Sequence, residues 1–199
     1  MALREQSRMA KLIFNYGVMG SGKTTSLLQT KYNYEKKNLR TLLIKPRIDT
    51  KGTTEVISRI GLHCQVDILL DAEDIIMKRV GIEKPNIILV DEAQFLTRKQ
   101  IDELFLISKM YDILVECYGL RTDFQTEGFE GSDRLLQIAD ELHENTTICS
   151  CGDKAIINMR LINNEPTFDG EQVMIENEQD IKYEGVCGKC YIKKRGEIR

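Results

Sequence analysis

No stretch of this sequence comes near 18 consecutive apolar residues, so no segment reads as a membrane-crossing helix. Residues 1–11 are polar and lack the hydrophobic length of a secretory signal, and with no other address the cytoplasm is the expected location. A charge excess is also missing. The formal net charge is −3, with acids and bases mixed along most of the chain, which argues against broad attraction to nucleic acid or a membrane surface. There is no internal repeat and no low-complexity tract. The 199 residues suffice for one substantial domain and a small appendage, with a core that needs no crosslink. The six cysteines are therefore read in a reducing compartment, where clustered thiols suggest metal and isolated ones suggest core.

What is present is concentrated near the start. Gly-Val-Met-Gly-Ser-Gly-Lys-Thr at 17–24 matches G-x-x-x-x-G-K-[ST] and follows an apolar run ending at Phe14. Such a strand-to-helix turn wraps backbone N–H groups around phosphate oxygens, and the helix it opens adds unpaired donors and the positive end of its dipole. Gly17 and Gly22 permit the tight path, and Met19, Gly20 and Ser21 lie between them. Lys23 is expected to reach the β and γ phosphates of a nucleoside triphosphate, and Thr24 to place a hydroxyl on its magnesium ion. A plain Gly/Ser turn carrying a surface lysine would not need the strand before it and the long helix after it.

Strands are expected at Leu12–Tyr16, Thr41–Lys45, Val66–Leu70, Asn86–Val90 and Ile113–Tyr118. Helices are expected at Lys23–Glu35, at Asp71–Val80 with an acidic cap, and at Thr97–Lys109. The polar stretch 47–61 reads as a long loop with a function. Strands alternating with helices predict an α/β fold whose mostly parallel sheet is covered on both faces. From about Asn145 the rhythm gives way to cysteines, glycines and short polar runs, so two units are expected, 1–145 and 146–199.

Asn86-Ile-Ile-Leu-Val90 is the clearest buried strand, and it runs into Asp91-Glu92. A carboxylate at the end of an apolar strand needs a cation or firm hydrogen bonds, which suits Asp91 to the magnesium ion. Glu92 then points elsewhere and is the candidate base for an incoming nucleophile. Gln94 and Phe95 continue into the same cleft as a polar group and a ring. Downstream, Cys149-Ser-Cys151 and Cys187-Gly-Lys-Cys190 are two close thiol pairs, the usual means of holding structural zinc in a unit too small to fold on apolar burial alone. Cys117 lies in an apolar strand and reads as a core side chain.

Taken together, the 17–24 motif, Asp-Glu-Ala-Gln-Phe at 91–95, Cys-Tyr-Gly-Leu-Arg-Thr-Asp-Phe at 117–124 and the late cysteine pairs resemble cytosolic thymidine kinases of the type II family, over about residues 11–193. The resemblance implies a P-loop nucleoside-kinase domain with a small zinc-bound unit carrying a substrate flap. It also implies transfer of the γ-phosphate of ATP to the 5′-hydroxyl of thymidine, a homotetramer, and feedback binding of thymidine triphosphate. By the same resemblance Glu92 is the catalytic base, Asp91 belongs to the magnesium site, and Lys23 and Thr24 are phosphate and metal contacts. Asp49 and Lys51 become active-site contacts, with lysine where arginine is usual. Met19, Phe95, Leu120, Phe124 and Phe129 line the base pocket, and Tyr183 is the tyrosine preceding the third cysteine. Asn158 stands where a threonine near the thymine methyl is expected, and the first cysteine pair is C-x-C where C-x-x-C is common. The competing class is a nucleic-acid motor, since Asp91-Glu92-Ala93-Gln94 also suits a helicase box, but 199 residues leave no room for a second motor lobe.

Overall fold

The computed structural model describes residues 10–47, 54–174 and 180–196. In chain order these form β1 (Leu12–Tyr16), α1 (Lys23–Glu35), β2 (Thr41–Pro46), β3 (Glu55–Ile57), β4 (His63–Gln65), β5 (Ile68–Leu70) and α2 (Ile76–Glu83). Next come β6 (Ile87–Val90), a single 3-10 turn (Ala93–Phe95), α3 (Arg98–Met110), β7 (Leu114–Gly119), α4 (Glu130–Ile138) and β8 (Glu141–Glu144). The chain continues with β9 (Ile157–Ile162), β10 (Glu165–Thr167), β11 (Ile181–Val186) and α5 (Gly188–Arg195).

Six strands pair in the order β5-β2-β6-β7-β1-β8, and every pairing is parallel. Successive side chains of a strand go to opposite faces, so each apolar run serves two cores. Leu42, Ile44, Ile88, Val90, Val115 and Cys117 face one side, where α2, α3 and α4 pack through Ile76, Leu104 and Leu135. Leu43, Ile87, Leu89 and Tyr118 face the other, covered by Leu27 and Leu28 of α1 and by Val56 of the β3–β4 hairpin. A second, antiparallel sheet has β9 at its centre between β10 and β11. Among the described residues no helix is long and apolar enough to cross a membrane.

Three expectations change. The helix expected at Asp71–Val80 begins at Ile76 instead, because Asp71 and Asp74 close a turn on each other and their carbonyls receive the Gln100 side-chain amide of α3. The loop 47–61 is in part a hairpin, with Val56 opposite Cys64. Between Tyr118 and Asn145, where no element was expected, lie α4 and β8. Helix α3 does start behind Thr97, whose hydroxyl accepts from Gln100 N while the Gln100 side chain accepts from Thr97 N, a reciprocal cap.

Candidate active site

Because β1, β6 and β7 run parallel, the residues that follow them all emerge at one edge of the sheet. The glycine loop leaves β1 with Gly17 N donating to Gly119 O at the end of β7 (3.3 Å). A Cβ at Gly17 would sit 2.4 Å from Asn145 O and 2.6 Å from Ser21 Oγ, so a side chain there would break the turn. Gly22 caps α1 at φ 80°, a left-handed conformation that costs other residues about 1–2 kcal/mol, and no side chain caps the helix start. Ser21 Oγ is buried and has no hydrogen-bond partner among the described residues. Lys23 Nζ folds over the loop and donates to Gly17 O (3.2 Å) and Val18 O (2.9 Å). Burial holds the Lys23 pKa below its ordinary value, against the attraction of Glu92 and Asp91. An uncapped helix start, an orphaned hydroxyl and a partly desolvated ammonium are the donor set that a phosphate chain would satisfy. Thr24 follows in the first turn of α1, half-buried.

The acidic pair lies within electrostatic reach of the loop, since both carboxylates act on the Lys23 charge. Its strand is not immediately beside the loop's strand, as a simple adjacent arrangement would have it: β7 lies between β6 and β1. Gly119 closes that gap, because a Cβ there would meet Gln94 Oε1 at 2.7 Å. Asp91 is buried, and its backbone N–H donates to Ile44 O of β2 (3.0 Å). Desolvation and then the neighbouring Glu92 push its pKa up to about 8, while Lys45 and Lys23 oppose the rise. Lys45 ends the β2 run Leu-Leu-Ile-Lys beside the acidic strand and is itself buried. A cation closing an apolar run was a readable signal that sequence reasoning passed over. Glu92 takes φ 52°, a left-handed backbone rare for a residue with a side chain, and such strain collects at sites of function. Its carboxylate accepts from Gln94 Nε2 (2.7 Å), and Gln94 Oε1 accepts from Leu120 N (3.1 Å). Gln94 therefore orients Glu92 and the chain after β7 rather than standing free in the cleft.

Phe95 and Phe129 meet edge to face with ring centroids 5.6 Å apart, and Ser132 Oγ of α4 donates to Leu120 O (2.5 Å). Phe124 is fully buried beneath the Arg160 guanidinium, 3.6 Å from ring centroid to carbon. Arg160, absent from the sequence expectations, is 0% exposed in β9, donates to Tyr183 Oη (2.9 Å) and to the carbonyls of Glu171 (2.6 Å) and Gln172 (3.2 Å). Tyr183 Oη donates in turn to Met174 O (3.2 Å). A charged residue inside the alternating run Ile-Asn-Met-Arg-Leu-Ile was the available clue. Asn158 is buried one pleat away, and its amide is used at both ends: Oδ1 accepts from Met19 N (2.7 Å) and Nδ2 donates to Thr122 O (3.0 Å). The spare amide expected to meet a substrate methyl is thus already engaged by backbone. Asp49 and Lys51 lie outside the described residues.

Cys149, Cys151, Cys187 and Cys190 bring their sulfurs within 4.8 Å of one another, close to the spacing of about 3.8 Å that a tetrahedral zinc with bonds of about 2.3 Å requires. The short C-x-C pair reaches this geometry through a tight turn in which Gly152 N donates to Cys149 O (2.9 Å). The Cys187 sulfur accepts from Cys190 N (3.4 Å) at the start of α5. Backbone N–H groups of Cys151 and Cys187 lower the Cys149 thiol to about 6, whereas sharing protons with Cys151 and Cys187 raises Cys190 to about 12. A soft divalent cation bound by the four sulfurs would displace their protons.

A family model described as thymidine kinase matches residues 10–191. The thymidine kinase of Mannheimia succiniciproducens is 43% identical over 195 residues, covering 96% of this chain and 99% of that protein. That of Legionella pneumophila strain Paris is 45% identical over 197 residues, covering 95% and 91%. The Rhodopirellula baltica thymidine kinase is 43% identical over 185 residues, covering 90% and 86%.

Proposed function

Since the chain belongs to the thymidine kinase family and transfers phosphate from ATP to thymidine, we propose the following roles for its own residues. The glycine loop acts as a P-loop: backbone N–H groups of Gly17–Gly22, the Ser21 hydroxyl and Lys23 hold the triphosphate, and Lys23 leaves its own loop carbonyls to do so. Thr24 and Asp91 would hold magnesium, whose charge would be supplied against the phosphate oxygens. Glu92, held by Gln94, accepts the proton of the thymidine 5′-hydroxyl and aims the oxygen at the γ-phosphorus. Met19, Phe95, Leu120, Phe124, Phe129 and Tyr183 form or support the base pocket, with Asp49 and Lys51 as further contacts. Residues 1–145 constitute the kinase domain and 146–199 the flap-bearing unit, in which the four cysteines would hold structural zinc. A homotetramer that also binds thymidine triphosphate follows from the same family reading.

What supports this reading is that Asp91 and Glu92 both lie close enough to Lys23 to act on its charge. The test supplies labelled ATP, magnesium and a panel of nucleosides. Label is expected on thymidine, and Glu92→Gln is expected to bind ATP normally while turnover drops by about 10²–10⁴. Near-normal transfer by that variant would remove the base.

A further inference from the structure

Val18 is a residue of the glycine loop, yet its side chain belongs to the core of the cysteine unit, packed with Cys149, Ala155, Met159 and Val186. Directly beside it, Gly185 of β11 pairs in register with Asn158 of β9. A Cβ on Gly185 would lie 2.8 Å from Val18 Cγ2, 3.3 Å from Ala155 Cβ and 3.5 Å from Met19 O, so the absent side chain is the space the loop occupies. Opposite, Asn158 takes the Met19 N–H at 2.7 Å. The crevice left along this seam holds only about 10 Å³, room for no more than about one water. The phosphate loop therefore rests by direct contact on one rung of the β9–β11 ladder, and the other end of the Asn158 amide ties that rung to Thr122.

We infer that Asn158 and Gly185 form a seat for the phosphate loop, with Asn158 as a positioning residue for ATP binding rather than a contact of the nucleoside base. The inference rests on the P-loop reading above. Physically, a loop that binds phosphate through backbone N–H groups must hold those groups in place before the ligand arrives, because ordering them afterwards costs affinity. Among the described residues, two of the loop's internal positions are held from the cysteine unit, while Gly17 at the loop's start is held by β7. Met19 is held by Asn158 and Val18 by the cysteine-unit core. Through this seat the fold of the cysteine unit bears on the ATP site as well as on any flap.

The experiment measures binding of a non-hydrolysable ATP analogue with magnesium to the intact, metal-loaded protein without thymidine, together with hydrogen exchange of the Met19 amide. Loss of one buried hydrogen bond at the loop is expected to weaken the analogue about tenfold in Asn158→Ala and to speed Met19 exchange at least as much. The KM for ATP should rise by the same factor while kcat at saturating ATP stays within about twofold. Gly185→Ala, which leaves Asn158 in place and pushes Val18 from the other strand, is expected to act in the same direction. It also stands in if Asn158→Ala does not fold. Unchanged analogue affinity in the folded variants, or an effect confined to thymidine binding, would overturn the seat. Lys23→Ala separates the two readings: if it too leaves the analogue bound, the P-loop assignment fails, whereas if it alone abolishes binding, only the seat fails.

Discussion

The parallel sheet buries Asp91 and the cysteine unit buries Arg160, and the two charges are held by different means. Asp91 sits where strands β2 and β6 end, with large apolar cores on both faces of the sheet, and its nearest electrostatic partners are side chains of the site itself. Arg160 lies in a unit whose buried cluster has eight residues, two of them from the four-cysteine cluster and one, Val18, lent by the neighbouring loop. Its guanidinium is satisfied by carbonyls, a tyrosine hydroxyl and two rings, with Nη1 left without a partner among the described residues. A large core tolerates one unfavourable charge as the cost of function, whereas a small one uses its charge as structure. The first is a site that a ligand completes.

The sharpest way to break this contrast is to disrupt the four-cysteine cluster. Cys187→Ser in the full chain is expected to abolish stoichiometric zinc and to cost most of the metal's contribution of about 10–16 kcal/mol to folding of the small unit. Thermal unfolding followed by circular dichroism should then show the cysteine unit melting separately from a persisting sheet. A single unshifted transition would mean that the small core stands unaided.

Arg160→Ala comes next. Loss of its carbonyl and hydroxyl bonds and of the packing on Phe124 should cost on the order of 3 kcal/mol by denaturant unfolding, with the KM for thymidine raised more than kcat is lowered. Equal loss of both parameters would argue that the clamp acts on the chemistry instead.

Asp91 makes the opposite prediction. Its folded pKa of about 8 lies above the ordinary carboxylate value of 3.8, so the stability it contributes is fully present below about pH 4 and is lost as pH rises through 8. Without magnesium, Asp91→Asn should therefore melt at a higher temperature than the parent at pH 8, with the gap closing toward pH 4. Magnesium and ATP should reduce that gap while the variant's transfer activity falls. A pH-independent difference between the two proteins would remove burial as the cause.

Thr97→Ala is the smallest expected effect. It breaks the reciprocal cap of α3 and should cost about 1 kcal/mol in denaturant with turnover unchanged.

Local pattern carried much of this molecule. The run into Gly17, the helix from Lys23 and the strand ending at Asp91 were legible because an apolar strand, a glycine turn and a helical period each leave a signature within a dozen residues. The same reading missed β8 and the β9–β11 sheet, whose strands are short, partly polar and meaningful only beside their partners. It placed α2 too early because Asp71 and Asp74, good capping residues by type, bond to each other and to Gln100 from a distant helix.

The sequence alone determined the chemistry on offer: a phosphate-loop motif, an adjacent pair of carboxylates and four clustered thiols, each defined by residue type and short spacing. Tertiary structure decided how these meet. Only folding sets β7 between β6 and β1 with Gly119 as the spacer, gives the Asn158 amide to Met19 and Thr122, and closes Arg160 between Phe124 and Tyr183. The physical reason is range: strand, turn and thiol-pair signatures act between near neighbours in the chain, whereas burial and hydrogen-bond partners depend on which distant segments share the same few ångströms.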